Sequence, residues 1–253
     1  MVDKKLGGAG LRGQSAGSTA LCTVGVSGTG LTYRGYDITD LADNTCFEEV
    51  AFLIFHGHLP NQQELDDYRK LLIANRELPA TLLEVLELIP ASAHPMDVMR
   101  TGCSMLGNLE PEGDFSNQQQ AADRLLGALP GIINYWYRFS HDGVRIDTAT
   151  DEPSLAGHFL RTLSGESPNE LHQRVMDTSL ILYAEHEFNA STFTARVCAS
   201  TLSDMHSCVT GAIGSLRGPL HGGANEAAME LIERFDSPEA AVEGVKGMMA
   251  RKE

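Results

Sequence analysis

The chain has 253 residues, 42% hydrophobic and 21% charged, and its 34 acidic against 19 basic side chains give a formal net charge of −15 at pH 7. That length buries a sizeable core without disulfide staples, and no apolar run approaches the roughly 18 residues of a membrane span. So acidic a surface repels phosphate backbones and anionic lipid heads, which makes nucleic acid and membrane poor expected partners. An anionic small molecule remains open, because one pocket needs only a few local Arg or His donors. The five cysteines, Cys22, Cys46, Cys103, Cys198 and Cys208, are odd in number and lack C-x-x-C spacing, and the first residues carry no apolar secretory stretch. A reducing, cytoplasmic setting is the expectation.

Residues 1–30 hold eight of the 25 glycines and read as an irregular or β-like N-terminal arm, extended only near 20–24 and, just past it, 31–34. The helical period then takes over. Thr45-Cys46-Phe47-Glu48 has capping-box spacing and leads into Phe47, Val50, Ala51 and Ile54, with Gly57 and Pro60 as the stop. Asn61 with Glu64 opens the next helix, whose Leu65, Tyr68, Leu71 and Leu72 keep spacings of three and four. The same reasoning predicts helices near 80–89, 95–108, 117–140, 154–163, 168–186, 191–216, 222–235 and 238–252. Pro130 should kink or divide the helix at 117–140, and the polar run 107–119 reads as a surface loop. With no repeat, heptad seam or linker, residues 31–253 read as one all-α unit. Its last helix runs to Glu253 without a terminating glycine or proline, so the chain is expected to be a fragment.

Three short motifs fail their contexts. Gly13-Gln14-Ser15-Ala16-Gly17 matches a nucleophile elbow, but no β-strand precedes it and no α/β alternation follows. Gly25-Val26-Ser27-Gly28-Thr29-Gly30 fits neither phosphate-binding fingerprint and reads as a turn. His186-Glu187-Phe188-Asn189-Ala190 starts like a zinc helix but has Ala190 where the second ligand belongs, so no metal is expected.

Two polar clusters are more informative. In one, an apolar helix ends at Glu185-His186-Glu187-Phe188-Asn189-Ala190-Ser191, where Asn189 or Ser191 can cap the following helix. In the other, Arg217-Gly218-Pro219-Leu220-His221-Gly222-Gly223 sets a histidine beside paired glycines at a helix start, a place where a ligand could approach the backbone and free N–H groups. Either histidine alone could be a packed core residue. The predicted helix between them, Thr192 to Ser215, would span about 36 Å, so they meet only if the chain doubles back.

The stretches at 184–193 and 218–226 resemble the two histidine signatures of the citrate synthase family's bacterial branch, and the likeness covers nearly all of the chain. Within that branch, Ala-Leu-Cys-Thr-Val-Gly at 20–25, His-Pro-Met-Asp-Val-Met-Arg-Thr-Gly at 94–102 and Tyr-Trp-Tyr-Arg-Phe-Ser-His at 135–141 are most similar to members that condense propionyl-CoA with oxaloacetate. The resemblance implies an all-α, multi-helical large domain over 31–253 that includes the start of the small-domain region, with most of the small domain absent. It implies a homodimer, His221 as the catalytic histidine that exchanges a proton with the thioester carbonyl, and His186 as an oxaloacetate-binding residue with Asn189 and Ser191 orienting nearby. It implies no metal or redox cofactor, CoA entering as part of the substrate. The family's third substrate histidine, its α-proton aspartate and its carboxylate-binding arginines are expected beyond Glu253. Acetyl-CoA is the alternative acyl donor, since one methyl is worth only about 1–3 kcal/mol. A non-catalytic all-α interaction domain is the rival of another class.

Overall fold

Local hydrogen bonding dominates the computed structural model, which describes residues 16–25 and 30–251 and is 65% helical. Three short strands, β1 (Cys22–Val24), β2 (Leu31–Tyr33) and β3 (Tyr36–Asp37), form an antiparallel sheet in sequence order, with Cys22 opposite Tyr33. Arg34 and Gly35, both at positive φ, supply the tight turn between β2 and β3 that matches the strand twist. Helices follow in the order α1 (Ile38–Asn44), α2 (Phe47–His56), α3 (Gln62–Ala74), α4 (Ala80–Glu87), α5 (Pro95–Leu109), α6 (Gln118–Asp142), α7 (Leu155–Ser164), α8 (Glu170–Tyr183), α9 (Ala190–Ala199), α10 (Met205–Leu216), α11 (Gly223–Ile232) and α12 (Pro238–Arg251). The described fold is all-α with a small β appendage.

Two apolar cores flank α6. One joins the sheet to α1, α2 and α3, with Tyr33, Leu41, Val50 and Leu53 sealed beside Ile181 of α8. The other packs α4, α5 and α10 against α6 around Ile132 and Trp136. Close approach matters here: a Cβ on Gly102 of α5 would collide with the Ile132 side chain. Burial also catches acids. The Asp177 carboxylate accepts the Phe47 N–H at 3.1 Å, and removal from water, with Glu48 nearby, pushes its pKa up to about 6.

Several expectations change. The predicted helix 191–216 is two helices, because Leu202 adopts a left-handed backbone (φ 62°) and Asp204 caps α10 by accepting the Ser207 N–H. α9 and α10 then pack side by side, and the 36 Å separation disappears. Helix α1 was not expected; Asp37 caps it, and Thr45 closes it through its hydroxyl on Leu41 O. The capping box of α2 therefore slides by one residue to Cys46 and Glu49, which frees Glu48 to accept the buried Leu155 N–H at 2.7 Å. Pro130 does not divide its helix. α6 runs unbroken for 25 residues, and the buried Ala128 and Ile132 either side of the proline let tertiary packing offset the one lost backbone bond. The 107–119 loop shrinks, since α5 continues to Leu109 and α6 starts at Gln118. Residues 13–15 of the elbow-like motif and 26–29 of the glycine loop lie outside the described residues, as does most of the 1–30 arm.

Candidate active site

The turn between α8 and α9 carries His186, and the sheet holds it. Cys22 and Tyr33, paired across β1 and β2, both reach it. The Tyr33 hydroxyl donates to Ile181 O at 3.0 Å at the end of α8 and accepts the Glu185 N–H at 3.3 Å. The Cys22 thiol donates to Glu185 Oε1 at 3.3 Å and its sulfur accepts the Glu187 N–H at 3.1 Å. Burial first, and then the Glu185 carboxylate, lifts the Cys22 pKa to about 11, so the sulfur stays protonated and serves as a strut. Glu187 is left-handed at φ 55°, a conformation that costs energy in a non-glycine residue and persists because these contacts determine it. The Arg196 guanidinium, 4.6 Å from the Phe188 ring centre, braces the turn from α9. His186 projects from it exposed.

The α9–α10 reversal brings the second histidine back to the same place. Asn189 caps α9, its Oδ1 accepting the Thr192 N–H at 2.9 Å and the Ser191 hydroxyl at 2.8 Å. Ser191 Oγ lies 2.9 Å from His221 Nε2, and the Ser191 N–H lies 3.3 Å from the same nitrogen. One nitrogen thus faces Ser191 in either protonation state: protonated, it donates to Oγ; unprotonated, it accepts the N–H. No hydrogen bond engages His221 Nδ1 among the described residues.

The glycines beside His221 work differently from the sequence expectation. The N–H groups of Gly222, Gly223 and Ala224 are spent on Leu216 O, Gly218 O and His221 O, so they are not free for an anion. A Cβ on Gly222 would collide with the Leu216 carbonyl. The paired glycines are there to let the chain fold tightly under His221.

These groups line one cleft of about 1000 Å³ at the ends of α5, α8 and α10. His186, Asn189, Ser191 and His221 all face it; the last three are linked by hydrogen bonds, while His186 makes no bond to them. The sequence reading passed over His94, Glu185, Arg217 and Glu226, which also line it. His94 and Arg217 were visible as polar residues beside prolines or glycines in the quoted stretches, but nothing local ties them to the cleft. Among the described residues no three His, Cys, Asp or Glu side chains converge where a metal ion could sit, and no helix is long and apolar enough to cross a membrane.

A cleft with two imidazoles, one of them with its ring oriented, suits proton exchange with a carbonyl compound. Residues 10–253 match the family model described as citrate synthase, C-terminal domain. A protein of Shewanella oneidensis called 2-methylcitrate synthase is 70% identical over 99% of this chain and 67% of its own length. The citrate synthase of Thermotoga maritima superposes with a TM-score of 0.81 at 34% identity, over 100% of this chain and 66% of that one. That of Thermoplasma acidophilum, solved with carboxymethyl coenzyme A and oxaloacetate, gives 0.82 at 27% identity over 90% of this chain and 60% of its own. The chain thus spans about two thirds or less of these relatives.

Proposed function

Because the chain belongs to the citrate synthase family, we infer that it acts as a 2-methylcitrate synthase, joining the α-carbon of propionyl-CoA to the keto carbon of oxaloacetate and hydrolysing the thioester to release CoA. The observation that carries this reading is the 70% identity, over nearly the whole chain, to the Shewanella protein of that name. In the proposed mechanism His221 gives its Nδ1 proton to the thioester carbonyl while the carboxylate base that the family resemblance implies takes the α-proton, so that the enol forms, and the Ser191 N–H fixes the ring through Nε2. His186, which lines the same cleft, donates to oxaloacetate, and Asn189 holds the Ser191 hydroxyl. CoA is substrate and leaving group, and the chemistry as written needs neither metal nor redox cofactor.

The working unit proposed is a cytoplasmic homodimer. Support comes from α9, none of whose residues is buried in the single chain although Val197 is 52% exposed. A second reading, citrate synthase proper, draws on the two structural neighbours of that name. One methyl separates the substrates, worth about 1–3 kcal/mol, so some activity with each is expected. Thiol release by the intact enzyme from equal propionyl-CoA and acetyl-CoA with oxaloacetate decides: faster consumption of propionyl-CoA is expected, and a preference for acetyl-CoA overturns the assignment.

A further inference from the structure

The first turn of α5 grips both ends of the segment that presents His221. His94 caps α5 by accepting the Met96 N–H on Nδ1 at 3.1 Å. With Nδ1 occupied as an acceptor, the neutral ring carries its proton on Nε2, and that nitrogen lies 3.1 Å from Glu226 Oε2 in the first turn of α11. At the near end, Arg217 Nε lies 3.6 Å from Asp97 Oδ2, whose partner oxygen is 3.0 Å from Arg100 Nη2. His221 stands between Arg217 and Glu226.

Packing does little to fix this segment. Met229 and Ile232 of α11 are 57% and 64% exposed, and Leu220 of the turn is 94% exposed. The bond to Ser191 of α9 and those from the Gly222 and Gly223 N–H groups to Leu216 O and Gly218 O orient the ring and shape the turn, while the Glu226 end of the segment is held to α5 by His94. We propose that His94 is a positioning residue for His221: its imidazole ties α5 to α11 through Glu226 and so holds the His221 turn at the distance from Ser191 that the reaction needs. The inference rests on the 2-methylcitrate synthase reading and deepens it. His94 touches no reacting atom; its effect reaches catalysis through the placement of another side chain, where small errors are costly.

His94→Asn separates the cap from the tie in the intact enzyme. Asn is among the strongest N-caps and keeps the bond to the Met96 N–H, but it is too short to reach Glu226. The expected result is a fall in kcat of about three- to tenfold, the scale of one partly solvated hydrogen bond, with KM for oxaloacetate and the thermal midpoint little changed. Glu226→Ala should lose the same amount and Glu226→Gln, which keeps an acceptor oxygen, should recover most of it. The double variant His94→Asn/Glu226→Ala should be no slower than either single one, and His94→Asn added to His221→Ala should cost nothing further. Unchanged kcat in His94→Asn, additive losses, or a further loss on top of His221→Ala overturns the proposal. If the unsubstituted enzyme releases no thiol from either acyl-CoA, the functional reading has failed instead. Hydrogen exchange at the Gly222, Gly223 and Ala224 amides then tests the tie alone: faster exchange in His94→Asn supports it, and equal exchange refutes it.

Discussion

His221 and His186 occupy one cleft but differ in how they are held, and the difference sets what each substitution should do. His221 is bonded on Nε2 and open on Nδ1, whereas His186 is exposed on a turn braced from behind by Cys22 and Tyr33. His221→Ala should lower turnover by roughly 10²–10⁴-fold, the range of a lost general acid, with oxaloacetate affinity nearly intact. His186→Ala should weaken oxaloacetate binding as well, since a donor to the ground-state keto acid acts before chemistry begins. Calorimetric titration beside turnover separates the two, and equal effects on both quantities would undo the assignment. Asp177 supplies a prediction about stability. Its pKa of about 6 exceeds the ordinary 3.8, so the folded state binds the proton more tightly; the cost of the buried charge is fully present above pH 6 and fades as pH falls toward 4. Asp177→Asn keeps an acceptor for the Phe47 N–H and should stabilise the fold at pH 7.5 by on the order of 1 kcal/mol. Denaturant midpoints should converge near pH 4; a gap independent of pH would show that the carboxylate charge is not the cause. Both histidines were legible in sequence because their polar neighbours interrupt apolar helices. Cys22 and Tyr33 were not, since their contacts with the His186 turn cross more than 150 residues and leave no local pattern.

Among the elements, the reversal between α9 and α10 decides whether a site exists. It was hidden because the apolar pattern continues through it and the break uses neither glycine nor proline: a leucine takes the left-handed position, which side chains rarely adopt. The readable signal was Asp204, an N-cap with Ser207 three residues on. Helix ends marked by Gly57 and Asn61 were read correctly, because their capping chemistry is local, and of the two caps left open at the next junction the structure uses Asn189, with the helix starting at Ala190. The turn under His221 gives the prediction at this scale. Gly222→Ala forces a methyl against the Leu216 carbonyl, so the turn must shift and carry His221 with it. Turnover should fall by about 10²-fold, the effect of an ångström of misplacement, while helix content measured by circular dichroism stays the same. Activity within twofold of the unsubstituted enzyme would mean that the turn relaxes without moving the ring.

For the molecule as a whole, the all-α class followed from helical periodicity and its architecture from the family resemblance, but assembly did not follow from the residue pattern. α9 has no buried residue and carries the half-exposed Val197, so part of its face is left for a partner. A self-complementary pairing of that face is the simplest closure, and a stable one needs roughly 1,600 Å² in total. Sedimentation should return about twice the chain's 27.4 kDa at micromolar concentration. A clean monomer would refute the dimer.

The two halves of the cleft should also form at different times. The Ser191–His221 contact closes a loop of 30 residues, whereas the Cys22–Glu187 contact closes one of 165. Loop closure entropy grows as the logarithm of length, which makes the second closure costlier by about 1.5 kcal/mol before any contact rewards it. A refolding chain should therefore bring His221 to Ser191 first and lock the His186 turn last, when the N-terminal strands arrive. Pulse-labelled exchange would see the Ser191 amide protected ahead of the Glu187 amide, and the reverse order would contradict it. Contact order, set by the 165 residues between Cys22 and Glu187, makes His186 the late-arriving partner of a site whose other half is already in place.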